Sequence, residues 1–124
     1  MPEKPHILFV CSRNKWRSPT AEATYANDAR VEVRAVGLSG KSPRQLSEVD
    51  LQWADIVLVM ERGHKARILN RFRDFDILPR IEVMEIPDEY EYMDEELVGM
   101  IRSQTEHFIE KVIGIEQERA RDCR

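Results

Sequence analysis

The sequence predicts an α/β fold: a three-layer sandwich in which helices flank a four-stranded parallel sheet of order 2-1-3-4. Three observations predict it. Four short runs rich in Val and Ile are separated by longer segments of mixed polarity. Two of them, Ile7-Leu8-Phe9-Val10 and Ile56-Val57-Leu58-Val59-Met60, are continuously apolar, as strands covered on both faces are. The other two, Val31 to Val36 and Ile81 to Ile86, alternate apolar and polar residues, as half-exposed edge strands do.

Strand one leads into a helix from about Pro19 to Ala29, with proline at the favoured first helical position. A second helix spans Ser47 to Ala54, where Ser47 and Asp50 have the spacing of a capping box. A third runs from Arg62 to Phe72, and a last, long one from about Asp94 to beyond Ile115. The stripe Leu97, Ile101, Phe108, Val112 and Ile115 turns that last helix toward the core. Strand–helix alternation gives parallel pairing with right-handed crossovers. Two central and two edge strands then give the order 2-1-3-4, whose switch point lies at the carboxyl end of strand one. Cys11 is the residue found there.

A chain of 124 residues without repeats, low-complexity stretches or linkers fits one domain, 1–124, with 118–124 expected as a flexible tail. A net charge of -4 disfavours nucleic acid or an anionic membrane as partner. No apolar run approaches the roughly 20 residues of a membrane span, and Met1 to Pro5 lacks a signal-peptide layout. The expected location is the reducing cytoplasm. The two cysteines, Cys11 and Cys123, have no CxxC or Cys/His neighbour, so neither a disulfide nor a metal site is expected. His6, His64 and His107 show no ligand spacing and read as structural or exposed.

The stretch that carries chemistry is Cys11-Ser12-Arg13-Asn14-Lys15-Trp16-Arg17-Ser18-Pro19, a strand end, a loop and a helix start. Five residues between Cys11 and Arg17 let the loop curl with its N–H groups pointing inward around a tetrahedral oxyanion. The helix aims its positive end at the same place. Those dipoles and the Arg17 guanidinium favour a thiolate at neutral pH. Arg17 offers a fork for two phosphate oxygens, a geometry lysine lacks. Ser18 is placed to hydrogen-bond the sulfur and ease its departure from a phosphocysteine. Arg13 and Lys15 add positive charge at the mouth or point into solvent.

In these residues the chain resembles the low-molecular-weight protein tyrosine phosphatase family, whose loop reads Cys-x-Gly-Asn-x-Cys-Arg-Ser-Pro followed closely by Ala-Glu. Cys11, Asn14, Arg17, Ser18, Pro19, Ala21 and Glu22 match. Gly37-Leu38-Ser39-Gly40 is similar to the Gly-Thr-Ser-Gly after the family's second strand, and Asp55 to Glu61 to its third-strand region. The resemblance implies a cofactor-free phosphatase acting on phosphomonoesters, with protein phosphotyrosine as the first substrate to consider. It also implies that Asn14 and Ser39 join a network holding the loop and Ser18, though ordinary loop capping would explain either residue. Ile86-Pro87-Asp88-Glu89-Tyr90 is similar to the family's Pro-Asp-Pro-Tyr segment, so Asp88 falls on the general acid. Asp94 and the glutamates nearby read as caps or solvated residues. Tyr90 and Tyr92 either wall the pocket or pack at its rim.

The chain departs from the pattern at Arg13, in place of glycine, and at Trp16, in place of the second loop cysteine. The disulfide that can shelter the family's nucleophile is therefore impossible, and irreversible inactivation by peroxide follows. The stretch between Ala29 and Gln45 is short for the family, which implies a shallower pocket and a substrate that need not be inherited. Phosphoserine, phosphoarginine and small phosphate esters stay open, as does the oligomeric state. A module that binds phosphorylated partners without catalysis would need only the loop and Arg17. An arsenate reductase on this fold would need two further cysteines, and only Cys123 is on offer.

Overall fold

The computed structural model describes residues 4–12, 16–75 and 78–122, with the backbone alone for 112–122. Arg13, Asn14, Lys15 and Cys123 lie outside the described residues, as do the side chains of Val112 and Ile115. The elements run β1 (His6–Cys11), α1 (Arg17–Tyr25), β2 (Glu32–Gly37), α2 (Glu48–Trp53), β3 (Ile56–Val59), α3 (Arg62–Arg71), β4 (Arg80–Val83) and α4 (Glu95–Asp122). All pairings are parallel and the order is β2-β1-β3-β4. Cys11 faces Gly37 across β1 and β2, while Val59 lies between Val10 and Val83.

The period of two in each strand sorts the core into two layers. Ile7, Phe9 and Cys11 of β1 join Ile56, Leu58, Ala21, Tyr25, Leu97 and Ile101 on the face covered by α1 and α4. Leu8 and Val10 join Val57, Val59, Leu51 and Ile68 on the face covered by α2 and α3. Residues 7 to 10 and 56 to 60 are buried throughout, which is why these strands read as unbroken apolar runs. Each fully buried Leu, Ile or Phe contributes about 1.5–3 kcal/mol relative to exposure, so the layers hold the sheet from both sides.

Of the boundaries that differ from the sequence reading, three have a clear local reason. Helix α1 starts at Arg17, so Pro19 is its third residue rather than its first. The N–H groups of a first turn have no intrahelical acceptor, and proline is tolerated anywhere in it. The helix also stops at Tyr25, short of Ala29, where Asn27 and Asp28 favour a turn and Asp28 N–H donates to the Tyr25 carbonyl at 3.1 Å. Strand β4 ends at Val83 because Glu85 adopts φ 54°, outside the extended region. Met84 and Ile86 nonetheless donate to the carbonyls of Val59 and Met60, both at 2.9 Å, and carry the chain onward beside β3.

The capping box at α2 forms as read, with Ser47 N–H donating to Asp50 Oδ2 at 3.0 Å. Asp94 caps α4 by accepting from Glu96 N–H at 2.9 Å. Helix α4 runs to Asp122, through residues 118–122 where a tail was expected. It is tied to the end of α1 by Arg30, which donates to Asp28 and Glu106 at 2.7 Å each. Tyr25 donates to the same Glu106 at 3.2 Å. On the exposed edge of β2, Ala35 N–H is taken by Glu22 Oε2 of α1 at 2.9 Å, which blunts an edge open to strand pairing.

Candidate active site

Parallel strands bring their carboxyl ends to one edge, and the segments leaving β1, β2, β3 and β4 meet there. Cys11 ends β1 with 3% of its surface exposed, a single thiol at the crevice. Its carbonyl accepts from Leu38 N–H at 3.0 Å, and the Ser12 carbonyl accepts from Ser39 N–H at 2.7 Å and the Ser42 hydroxyl at 3.2 Å. The segment after β2 thus braces the first steps of the loop that follows the cysteine.

Trp16 stands at the N-cap of α1 with 37% of its surface exposed, and helix α1 opens at the loop with its positive end. Ser18, the second helical residue, is fully buried, and its Oγ lies 2.9 Å from Cys11 Sγ. The Val36 carbonyl, 3.4 Å away, is a second acceptor for the same hydroxyl. A hydroxyl proton rotates freely, so it can serve Val36 beside a neutral thiol and turn to the sulfur when that atom carries charge.

Among the described residues Arg17 is the most deeply buried charged side chain. It is 3% exposed, and its Nη1 donates to the Ile86 carbonyl at 2.9 Å and pairs with Glu61 Oε2 at 2.9 Å. Its Nε lies 3.6 Å from Asp88 Oδ1. A buried guanidinium needs such partners, since an unpaired one would cost several kcal/mol in desolvation. Asp88 itself remains 64% exposed on the loop after β4, open to a group entering the crevice.

Of the residues singled out in the sequence, Cys11, Ser12, Arg17, Ser18 and Asp88 converge at this edge. Ser39 sits beside them through its backbone N–H. Its hydroxyl accepts locally from Lys41 N–H at 3.1 Å, a turn bond. Tyr90 is half-buried against the core layer that contains Cys11, while Tyr92 is exposed. Among the described residues no group of three His, Cys, Asp or Glu side chains is placed to hold a metal ion. No described helix is long and apolar enough to cross a membrane.

Two residues were missed. Glu61 leaves β3 at the strand end next to β1 and reaches Arg17. His64, read from sequence as structural or exposed, is buried one helical turn later with Nε2 3.4 Å from Glu61 Oε2. Burial holds its pKa below the ordinary histidine range, against an opposing pull from Glu61, and Arg17 and Arg67 lower it further. The available signal was position: Glu61 follows the carboxyl end of a central strand that neighbours strand one.

No protein-family model matches the chain. A protein-arginine-phosphatase of Geobacillus stearothermophilus is 32% identical over a match covering 53% of this chain. The chain spans 61% of that relative's length, less than two thirds. Among solved structures, the YwlE arginine phosphatase of the same organism superposes with a TM-score of 0.64 at 25% identity, covering 95% of this chain and 96% of its own. The tyrosine phosphatase Wzb of Escherichia coli K30 superposes with a TM-score of 0.66 at 18% identity, covering 88% of this chain and 99% of its own. These relatives are all members of the low-molecular-weight protein tyrosine phosphatase family, and the chain carries that family's fold together with a cysteine, arginine and serine at the spacing of its loop.

Proposed function

We propose that this chain is a cysteine-dependent, metal-independent phosphatase that hydrolyses phosphomonoesters through a phosphocysteine intermediate. The observation that carries the reading is the convergence of Cys11 Sγ, Ser18 Oγ 2.9 Å away and the buried Arg17 at one crevice. A thiolate needs a neighbouring donor and positive charge, and here both belong to the first turn of one helix.

In the first step a lone pair of the Cys11 thiolate forms a bond to phosphorus while the bond from phosphorus to the ester oxygen breaks. Arg17 and the N–H groups of the loop from Ser12 through Arg13, Asn14, Lys15 and Trp16 stabilise the equatorial oxygens. Asp88 gives its proton to the departing oxygen. In the second step Asp88, now a carboxylate, takes a proton from water as the water oxygen bonds to phosphorus and the sulfur leaves as thiolate. Ser18 donates to that sulfur. Ser39 supports the loop and Tyr90 borders the entrance.

The substrate proposed is a phosphorylated protein side chain met in the cytoplasm, phosphotyrosine first. Phosphoarginine is a second reading, favoured by the two relatives named as arginine phosphatases. Hydrolysis of p-nitrophenyl phosphate at mildly acidic pH with chelator present is the test. Activity that survives chelation and vanishes in Cys11→Ser supports the reading. Inactivity combined with a rise in melting temperature on adding phosphate would replace it with a binding module. Relative kcat/KM on phosphotyrosine and phosphoarginine peptides then separates the two substrate classes.

A further inference from the structure

The His64 ring is buried beside the crevice and has no part in the steps above. Its Nδ1 accepts from Glu61 N–H at 3.2 Å. A neutral ring with an acceptor at Nδ1 carries its proton on Nε2, and that nitrogen faces Glu61 Oε2 at 3.4 Å. The same Oε2 lies 2.9 Å from Arg17 Nη1. The Glu61 carboxylate also caps α3 by accepting from the backbone N–H of His64. One carboxylate, 52% exposed, is therefore gripped from the helix side by His64 and from the crevice side by Arg17.

We propose that His64 is a positioning residue for the phosphate-binding arginine: it fixes the Glu61 carboxylate, and Glu61 in turn fixes the plane of the Arg17 guanidinium. An exposed glutamate would otherwise sample several rotamers and surrender part of its grip on Arg17 to water. Gripping it with a ring that is itself anchored to the backbone removes that freedom, so the guanidinium meets an oxyanion with its geometry already set. The charged groups that face His64 are Glu61 at its own N-cap, Arg67 on its own helix, Arg17 of α1 and Asp88 of the loop after β4. The inference rests on the phosphatase reading for its meaning, but oxyanion affinity tests it separately from turnover.

The test compares wild type with His64→Asn and His64→Gln in affinity for inorganic phosphate and in kcat and KM for p-nitrophenyl phosphate. Asn keeps an acceptor for the N-cap N–H, so the fold should hold, but it is too short to grip the carboxylate. Phosphate affinity is expected to fall about tenfold, the scale of one hydrogen bond to a charged group. Gln, with acceptor and donor at the longer reach, should restore most of it. In a Glu61→Gln background the further loss from His64→Asn should shrink toward none, because the ring then has no carboxylate to hold. Wild-type affinity in a folded His64→Asn protein, or an undiminished loss in the Glu61→Gln background, overturns the proposal. Should Asn unfold the chain, nitrogen NMR of the wild type decides: the Arg17 side-chain resonances should move with the midpoint of His64 titration, and their indifference to it would overturn the proposal. Absence of turnover in wild type with phosphate affinity still dependent on His64 would remove the phosphatase reading and leave this one standing.

Discussion

Cys11 Sγ and Ser18 Oγ stand 2.9 Å apart in a buried setting, although one ends a strand and the other opens the next helix. The loop between them returns the chain to its starting point, so a thiol and a hydroxyl seven residues apart act as neighbours. A donor at that distance stabilises sulfur most when it leaves as a thiolate. The predicted effect of Ser18→Ala is therefore a kcat lower by about ten- to a hundredfold, with KM falling alongside it because only the second step slows. Stopped-flow release of p-nitrophenol should show a full burst followed by a slow phase. An unchanged kcat would remove Ser18 from the reaction.

Asp88 is exposed and lies 3.6 Å from the Nε of Arg17, and the proposed mechanism makes it the proton donor for the departing oxygen. Its worth must then depend on the leaving group. Asp88→Asn is expected to lower kcat/KM, which reports the first step alone, by about a hundredfold or more for phenyl phosphate and much less for p-nitrophenyl phosphate, since nitrophenolate leaves without help. Equal losses across a series of phenols would assign the proton to another group.

The clamp of Arg30 on Asp28 and Glu106 sets an acid limit to stability. The Arg30 guanidinium holds both carboxyls below their ordinary values. Carboxyls with lowered folded-state values add stability that is present above about pH 4, the unfolded range, and lost as pH falls through the folded values. Melting temperature should accordingly drop as pH falls below about 4, and Arg30→Ala should flatten that drop. The groups are partly exposed, so the effect should also shrink in high salt. A variant with an undiminished acid drop would show that other carboxyls set the limit.

Trp16 occupies the loop position where a second thiol would have to stand to shelter Cys11. Hydrogen peroxide should therefore carry Cys11 beyond sulfenic acid, with sulfinic and sulfonic forms visible by mass spectrometry and no recovery in dithiothreitol. Full recovery with thiol would mean that another partner, such as a backbone nitrogen, traps the first oxidation product.

The fold was legible because strands covered on both faces and strands at an edge leave different apolar patterns. Those patterns gave β2-β1-β3-β4 before any contact was known. The ends of elements were less legible. The φ of Glu85 and the place of Pro19 in the first turn depend on neighbours that periodicity does not report. At the site, Cys11, Arg17 and Ser18 were readable because their spacing is local, and Asp88 through the resemblance of its segment to the family's, with its place after a strand end in agreement. Glu61 and His64 were not. A glutamate before a helix resembles any solvated N-cap, and its pairing with Arg17 exists only once β3 lies beside β1.

Because all four strands end at one edge, the groups proposed for the reaction come from several separate stretches of chain. Cys11 ends β1, Arg17 opens α1, Glu61 leaves β3 and Asp88 follows β4, while residues 39–42 after β2 touch this group through backbone bonds and one hydroxyl. That segment braces the start of the loop mainly through main-chain bonds, so its side chains, Ser42 apart, can change while those bonds stay. Over evolutionary time a scaffold so divided can vary one contributing stretch while the others pass unchanged from ancestor to descendant.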